Sequence, residues 1–189
     1  MVFGKKAILR FLGCGPPPAS TIEDQTKALQ DKLSQLACGV MCTSSIHIGY
    51  KLGFFEALDA GPLRVEQLAE AAGAHGRYVK EWCLNMASNG FINFNTATAE
   101  YSMSEVQATF FAQKSHPNHS SMGDILIVMA SCDMRGRLME HFKNGGGYTY
   151  KEMPPDAVLG CRIFFGPVYQ GLLPTFVAKL ENDILGKLE

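Results

Sequence analysis

Apolar side chains in the first quarter of the chain recur at helical spacing. Ile22, Thr26, Leu29, Leu33, Leu36 and Val40 alternate four- and three-residue steps, which sets them on one face of a helix. Under three heptads is too short for a coiled coil, so an intrachain core and a dimer seam both stay open for that stripe. Ile48, Leu52, Phe55 and Leu58 predict a second helix, closed by Gly61-Pro62. Val65, Leu68, Ala69 and Ala72 predict a short third one, and Val79, Trp82, Cys83 and Met86 a fourth that ends at Gly90. Two apolar-rich runs follow, 91–94 and 101–104, separated by the turn-prone Asn95-Thr96-Ala97-Thr98. Three helices and then a hairpin is the order of a winged helix-turn-helix.

Past residue 105 the pattern is helical again. Met122, Ile125, Leu126 and Met129 form a stripe, Leu138 and Phe142 extend it, and Asn144-Gly145-Gly146-Gly147 breaks it. A loop at Pro154-Pro155 leads to a last helix bearing Leu173, Phe176, Val177, Leu180, Ile184 and Leu188. The fold class expected is mainly α: a winged helix-turn-helix of three helices plus a small β-hairpin, with flanking N- and C-terminal helices. The expected division is a flexible segment at 1–20, a winged-helix domain with its leading helix at 21–110, and a helical lid and linker region at 111–189. Leu52, Phe55, Leu68, Val79, Trp82 and Met86 are the expected winged-helix core.

Composition narrows the function classes. With 47% hydrophobic residues in 189 the chain can bury a sizeable core. The 17 basic and 18 acidic side chains leave no overall pull toward nucleic acid or an anionic membrane. Locally, between Ser44 and Ser104, Lys51, Arg64, Arg77 and Lys80 face Glu56, Asp59, Glu66, Glu70, Glu81 and Glu100, a net charge of −2. A module that must neutralise several phosphates should not be acidic, so no nucleic-acid partner is expected. The longest apolar run, 125–130, is far short of the roughly 20 residues that span a bilayer, so no membrane partner is expected either. Six scattered cysteines without a secretory signal read as reduced thiols in a cytoplasmic protein. The basic, acid-free start at 1–12 leaves an organelle-targeting reading open.

Several short constellations invite chemistry and fall short of it. Leu12-Gly13-Cys14-Gly15 has the look of a cofactor-binding glycine turn, but a basic segment precedes it and Pro16-Pro17-Pro18 follows where a helix should open. Gly145-Gly146-Gly147 has no strand before it and no Lys-Ser/Thr after it. His116 with His119, and Cys38 with Cys42, each offer two metal ligands without a third or fourth, and read as a solvated loop and a core thiol pair. No nucleophile elbow or paired catalytic motif is present, so no catalytic, cofactor-binding or metal residues are expected. Arg64 and His75-Gly76 stand where a Ser, Thr or Asp helix cap is usual, which predicts fraying of the helices they start.

The strings Gly49-Tyr50-Lys51-Leu52-Gly53-Phe54-Phe55-Glu56-Ala57-Leu58, Gly61-Pro62-Leu63 with Gln67-Leu68-Ala69, Arg77-Tyr78-Val79-Lys80-Glu81-Trp82 and Gly90-Phe91-Ile92 together resemble the N-terminal region of class I S-adenosylmethionine-dependent methyltransferases that begin with a winged helix. Gly145-Gly146-Gly147 with Tyr150, and the helix from Tyr169 through Leu188, resemble the lid and linker helix of that family. The resemblance implies a homodimerising, substrate-roofing front half, with Tyr148 and Tyr150 as roof residues. It also implies that S-adenosylmethionine and a small-molecule substrate belong to a cofactor domain absent from these 189 residues, which are therefore expected to be non-catalytic alone. A piece of a longer methyltransferase and a stand-alone winged-helix regulator binding DNA or protein are the competing readings.

Overall fold

The computed structural model describes residues 21–177 and Lys179. Two units divide the chain, the first ending at Met41 and the second beginning at Cys42. Helix α1, Ile22–Lys51, starts on a reciprocal cap: Asp24 N–H donates to Thr21 Oγ1 and Thr21 N–H to Asp24 Oδ2, both at 3.1 Å. Those bonds from Thr21 hold the Asp24 carboxyl below its ordinary value. The stripe that the periodicity sets on one face is there, and the described residues leave it exposed: Leu29, Leu33 and Leu36 are each about 60% exposed. Within the first unit, then, the reading of that stripe as an intrachain core fails.

In the second unit, α1 ends at Lys51 and the helix expected from Ile48 to Leu58 is interrupted. Gly53 takes a left-handed φ of 74°, and the chain restarts as α2, Phe54–Asp59. The interruption corrects one core residue. Leu52 falls in the turn and is 47% exposed, because the rotation that would have carried it inward stops one residue earlier. Helices α3, Val65–Ala71, and α4, Gly76–Ser88, complete the helical half of the winged helix.

Its core is Phe54, Phe55, Leu58, Leu68, Val79, Trp82, Cys83 and Met86, with Ile92 and Tyr101 from the wing. Each large side chain among them contributes about 1.5–3 kcal/mol by leaving water. The Trp82 indole stands edge-on to Phe54 and Phe55, at centroid separations of 4.8 and 5.3 Å, and its N–H donates to the Ser45 carbonyl at 2.8 Å.

Neither suspect helix start is left bare. Gln67 accepts the Arg64 N–H at 2.9 Å, and the His75 ring accepts the Arg77 N–H at 3.3 Å. Substitute caps thus replace the expected Ser, Thr or Asp, and the grounds for fraying are removed.

The wing is β1, Asn93–Asn95, paired antiparallel with β2, Glu100–Ser102, with Phe94 opposite Tyr101. Tyr101 also exchanges both backbone hydrogen bonds with Leu63, at 2.8 and 2.9 Å, so the α2–α3 connection supplies a third, one-residue strand. Helix α5, Glu105–Phe111, opens on a capping box in which Ser104 and Gln107 exchange bonds, and Gln107 donates onward to the Gly90 carbonyl.

A 3-10 turn, Pro117–Ser120, leads into α6, Ser121–Asp133, and then α7, Arg135–Asn144. The last described helix, α8, runs Pro155–Val177. It starts at the proline itself, whose missing N–H is no loss in a first turn. Of the apolar set expected on it, Leu173 and Phe176 are exposed, and Leu180, Ile184 and Leu188 lie outside the described residues.

Helices α6 and α8 cross at two glycines: a Cβ at Gly123 would stand 2.5 Å from the Gly160 carbonyl oxygen, and one at Gly160 would stand 2.7 Å from that of Gly123. Asp156, in the first turn of α8, receives Lys51 at 2.8 Å and His47 at 2.9 Å from the last turns of α1. Lys51 foremost, then His47, hold its carboxyl below the ordinary value against partial burial.

Candidate functional site

The proposed roof tyrosines are not brought together. Tyr148 is half-buried, donates its hydroxyl to the Met134 carbonyl at 2.9 Å, meets the His141 ring edge-on at 5.0 Å, and lies under the Arg137 guanidinium at 5.0 Å. Arg137 is paired in turn with Glu152, whose carboxyl is drawn down to about 2 by the Thr149 backbone N–H first and by Arg137 next. Tyr148 therefore braces the loop after α7. Tyr150 is 76% exposed at the start of a 3-10 turn, Tyr150–Glu152.

The glycine run before them follows a helix, with Gly145 and Gly146 at φ of 74° and 107°. The segment Leu12–Gly15 lies outside the described residues. Among the described residues the strands are those of the wing, so no parallel strand with a glycine turn opening a helix is present to hold S-adenosylmethionine.

The face that would meet DNA in a DNA-reading winged helix carries mixed charge. Helix α4 exposes Arg77 and Lys80, but beside Glu81 and the apolar Tyr78 and Leu84, and the wing carries Glu100 with no cation. The thiol pair expected in the core is also corrected. Cys38 is exposed on α1, and Cys42 is half-buried. Cys83 is the buried thiol, pushed up to about 12 by burial and so held as the inert S–H.

The loop of His116 and His119 departs furthest from expectation. His119 is 3% exposed, because the 3-10 turn folds its ring under α5, where Nδ1 lies 3.0 Å from the Phe110 carbonyl and the ring packs 5.8 Å from Tyr50. A carbonyl only accepts, so Nδ1 carries the proton and Nε2 is a lone-pair acceptor. That Nε2 is buried and has no partner among the described residues. Burial lowers the pKa of the ring, outweighing the Phe110 bond that would raise it. His116, by contrast, caps the turn by accepting the Asn118 N–H at 3.2 Å.

Both histidines line a cavity of about 480 Å³, closed on the other side by α8, with Lys114, Ser120, Arg162 and Gln170. Lys114 is held at 2.9 Å by Glu56, whose second carboxylate oxygen is buried without a partner. Among the described residues no group of three His, Cys, Asp or Glu stands close enough to share a metal ion.

Sequence spacing did not reveal this cavity. Its walls are about fifty residues apart and meet only because Gly123 and Gly160 let α6 and α8 approach. Glycines inside two otherwise apolar helical patterns were the available signal.

Residues 38–113 match the family described as the Rv2258c-like winged HTH domain. This segment is a winged helix-turn-helix. No curated protein matches the chain. Among solved structures, the chain shares the fold of the mitomycin 7-O-methyltransferase MmcR, at 18% identity and a TM-score of 0.64, over 84% of this chain and 50% of that one. PigF, solved with SAH, aligns at 13% identity and a TM-score of 0.57, over 82% and 48% of the two chains. The S-adenosylmethionine-dependent methyltransferase SibL aligns at 18% identity and a TM-score of 0.51, over 78% and 47%. The chain spans about half the length of each. Its winged helix-turn-helix resembles the N-terminal domains of S-adenosylmethionine-dependent methyltransferases.

Proposed function

We propose that this chain acts as the pairing and substrate-roofing part of a small-molecule methyltransferase, homodimeric, and that these 189 residues alone do not transfer methyl groups. The observation that carries the reading is the apolar face of α1, where Leu29, Leu33, Leu36 and Val40 stand exposed at helical spacing. A stripe of that length in water favours association, and a second copy of the same helix offers a matching one. The fold shared with methyltransferase structures over about half their length supports the division of labour.

In this reading the cofactor sits across the ends of parallel strands that the described residues do not contain. The roof offered over the substrate is the region after α7, with Tyr150 exposed toward solvent. A regulator that reads DNA fits less well, since the winged region carries a net charge of −2.

Isothermal titration of the 189-residue chain with S-adenosylmethionine tests the non-catalytic half of the proposal. Up to millimolar cofactor no saturable heat is expected. Saturable binding in the micromolar range would mean that residues assigned here to scaffold build a cofactor site.

A further inference from the structure

Helix α8 changes character part-way along. Its first turns are fixed: Lys51 and His47 hold Asp156, Ala157 and Gly160 are buried, and the backbone at Gly160 and Phe164 lies against Gly123 of α6. From Val168 to Phe176 every residue is exposed, so over more than two turns none of the described residues covers any side of the helix.

The sequence weakens the helix where this change falls. Pro167 has no N–H to give the Ile163 carbonyl, and its ring crowds that oxygen. Two turns on, Pro174 does the same to Gln170. Gly166 and Gly171 add to the effect. Neither glycine is required by packing or by backbone shape: a Cβ at either would meet nothing within 4 Å, and neither takes a positive φ. Gly160 in the same helix is the contrast, since a Cβ there would strike the Gly123 carbonyl and Ile127. A helical glycine that nothing requires contributes only backbone freedom, and Gly166 sets that freedom beside a missing hydrogen bond.

We propose that α8 is hinged at Gly166-Pro167, its first half staying with α6 while the segment from Val168 onward moves as an arm. The site of bending follows from the boundary between covered and uncovered helix. Pro174 lies inside the uncovered part, where bending would move only the last described turn. The arm carries Tyr169, Leu172, Leu173 and Phe176, so the hinge sets the direction in which this apolar surface is offered.

The test is amide residual dipolar couplings of the deuterated, 15N-labelled 189-residue chain, weakly aligned. Couplings from 157 to 165 should fit the alignment of α6 at full magnitude. Those from 168 to 173 should be uniformly smaller by about a third, as backbone order falls from a squared order parameter of about 0.85 to about 0.6. Replacing both hinge residues, Gly166→Ala with Pro167→Ala, fits the open space at 166 and restores the amide at 167, so the fold is kept and the two halves should then agree. Gly171→Ala alone should leave the reduced magnitude as it is. Full magnitude in both halves of the parent, whether they are straight or bent, overturns the proposal. So does a graded decline toward the end of the helix, which is fraying, or a reduction that survives the double replacement.

Discussion

Trp82 joins three parts of the winged helix at once: the end of α1 through Ser45, α2 through Phe54 and Phe55, and its own helix α4. Truncation to alanine removes those ring contacts and the indole N–H bond to Ser45. Trp82→Ala should cost about 3–5 kcal/mol, read as a lower urea midpoint with the slope preserved. A midpoint equal to the parent's would mean that the indole packs against nothing of consequence. His119 supplies a second prediction, in pH. Burial lowers its folded pKa, so below about 6.5, the ordinary histidine value, the unfolded chain takes up a proton that the folded chain resists. The unfolded state then binds more protons, and stability falls as pH falls from that value toward the folded pKa. Urea midpoints between pH 7.5 and 5.5 should drop in the parent and drop less in His119→Gln. Equal slopes in the two proteins would show that the ring titrates alike folded and unfolded.

Between elements, the crossing of α6 and α8 depends on having no side chain at Gly123 or Gly160. Gly160→Val would drive methyl groups into the Gly123 carbonyl and Ile127, and overpacking of this kind costs about 1–3 kcal/mol or more. Gly171→Ala, in the same helix with open space around it, should instead stabilise by about 0.5–1 kcal/mol. Thermal melts of the two variants should therefore move in opposite directions, and a shared direction would contradict the crossing. This crossing also marks the limit of what periodicity could show. The order of helices and wing was legible because Val79, Trp82, Cys83 and Met86 repeat at helical spacing and Asn95 through Thr98 favour a turn. The break at Gly53 was not, since Ile48, Leu52 and Phe55 keep helical spacing straight across it and only the left-handed φ of the glycine ends the helix. The burial of His119 was hidden for a related reason: a Pro-Asn loop is ordinarily solvated, and only the tertiary approach of α5 and α8 covers it.

For the molecule as a whole, the decisive feature is apolar surface that the described residues leave uncovered. On α1 it is the stripe from Leu29 to Val40, and on α8 it is Phe164, Phe165, Leu172, Leu173 and Phe176. Contiguous exposure of this kind marks a surface meant for a partner, and the account assigns the stripe on α1 to a second copy of the chain. The winged region is net acidic, at −2 between Ser44 and Ser104. No helix among the described residues is long and apolar enough to cross a membrane. Sedimentation velocity of the purified chain at micromolar concentration tests the central claim most directly. The account predicts a species of twice the 20.7 kDa chain mass, converted to monomer by Leu33→Asp with Leu36→Asp while the helical circular dichroism is retained. A strict monomer of the parent chain, or a dimer untouched by those two charges on α1, would contradict it.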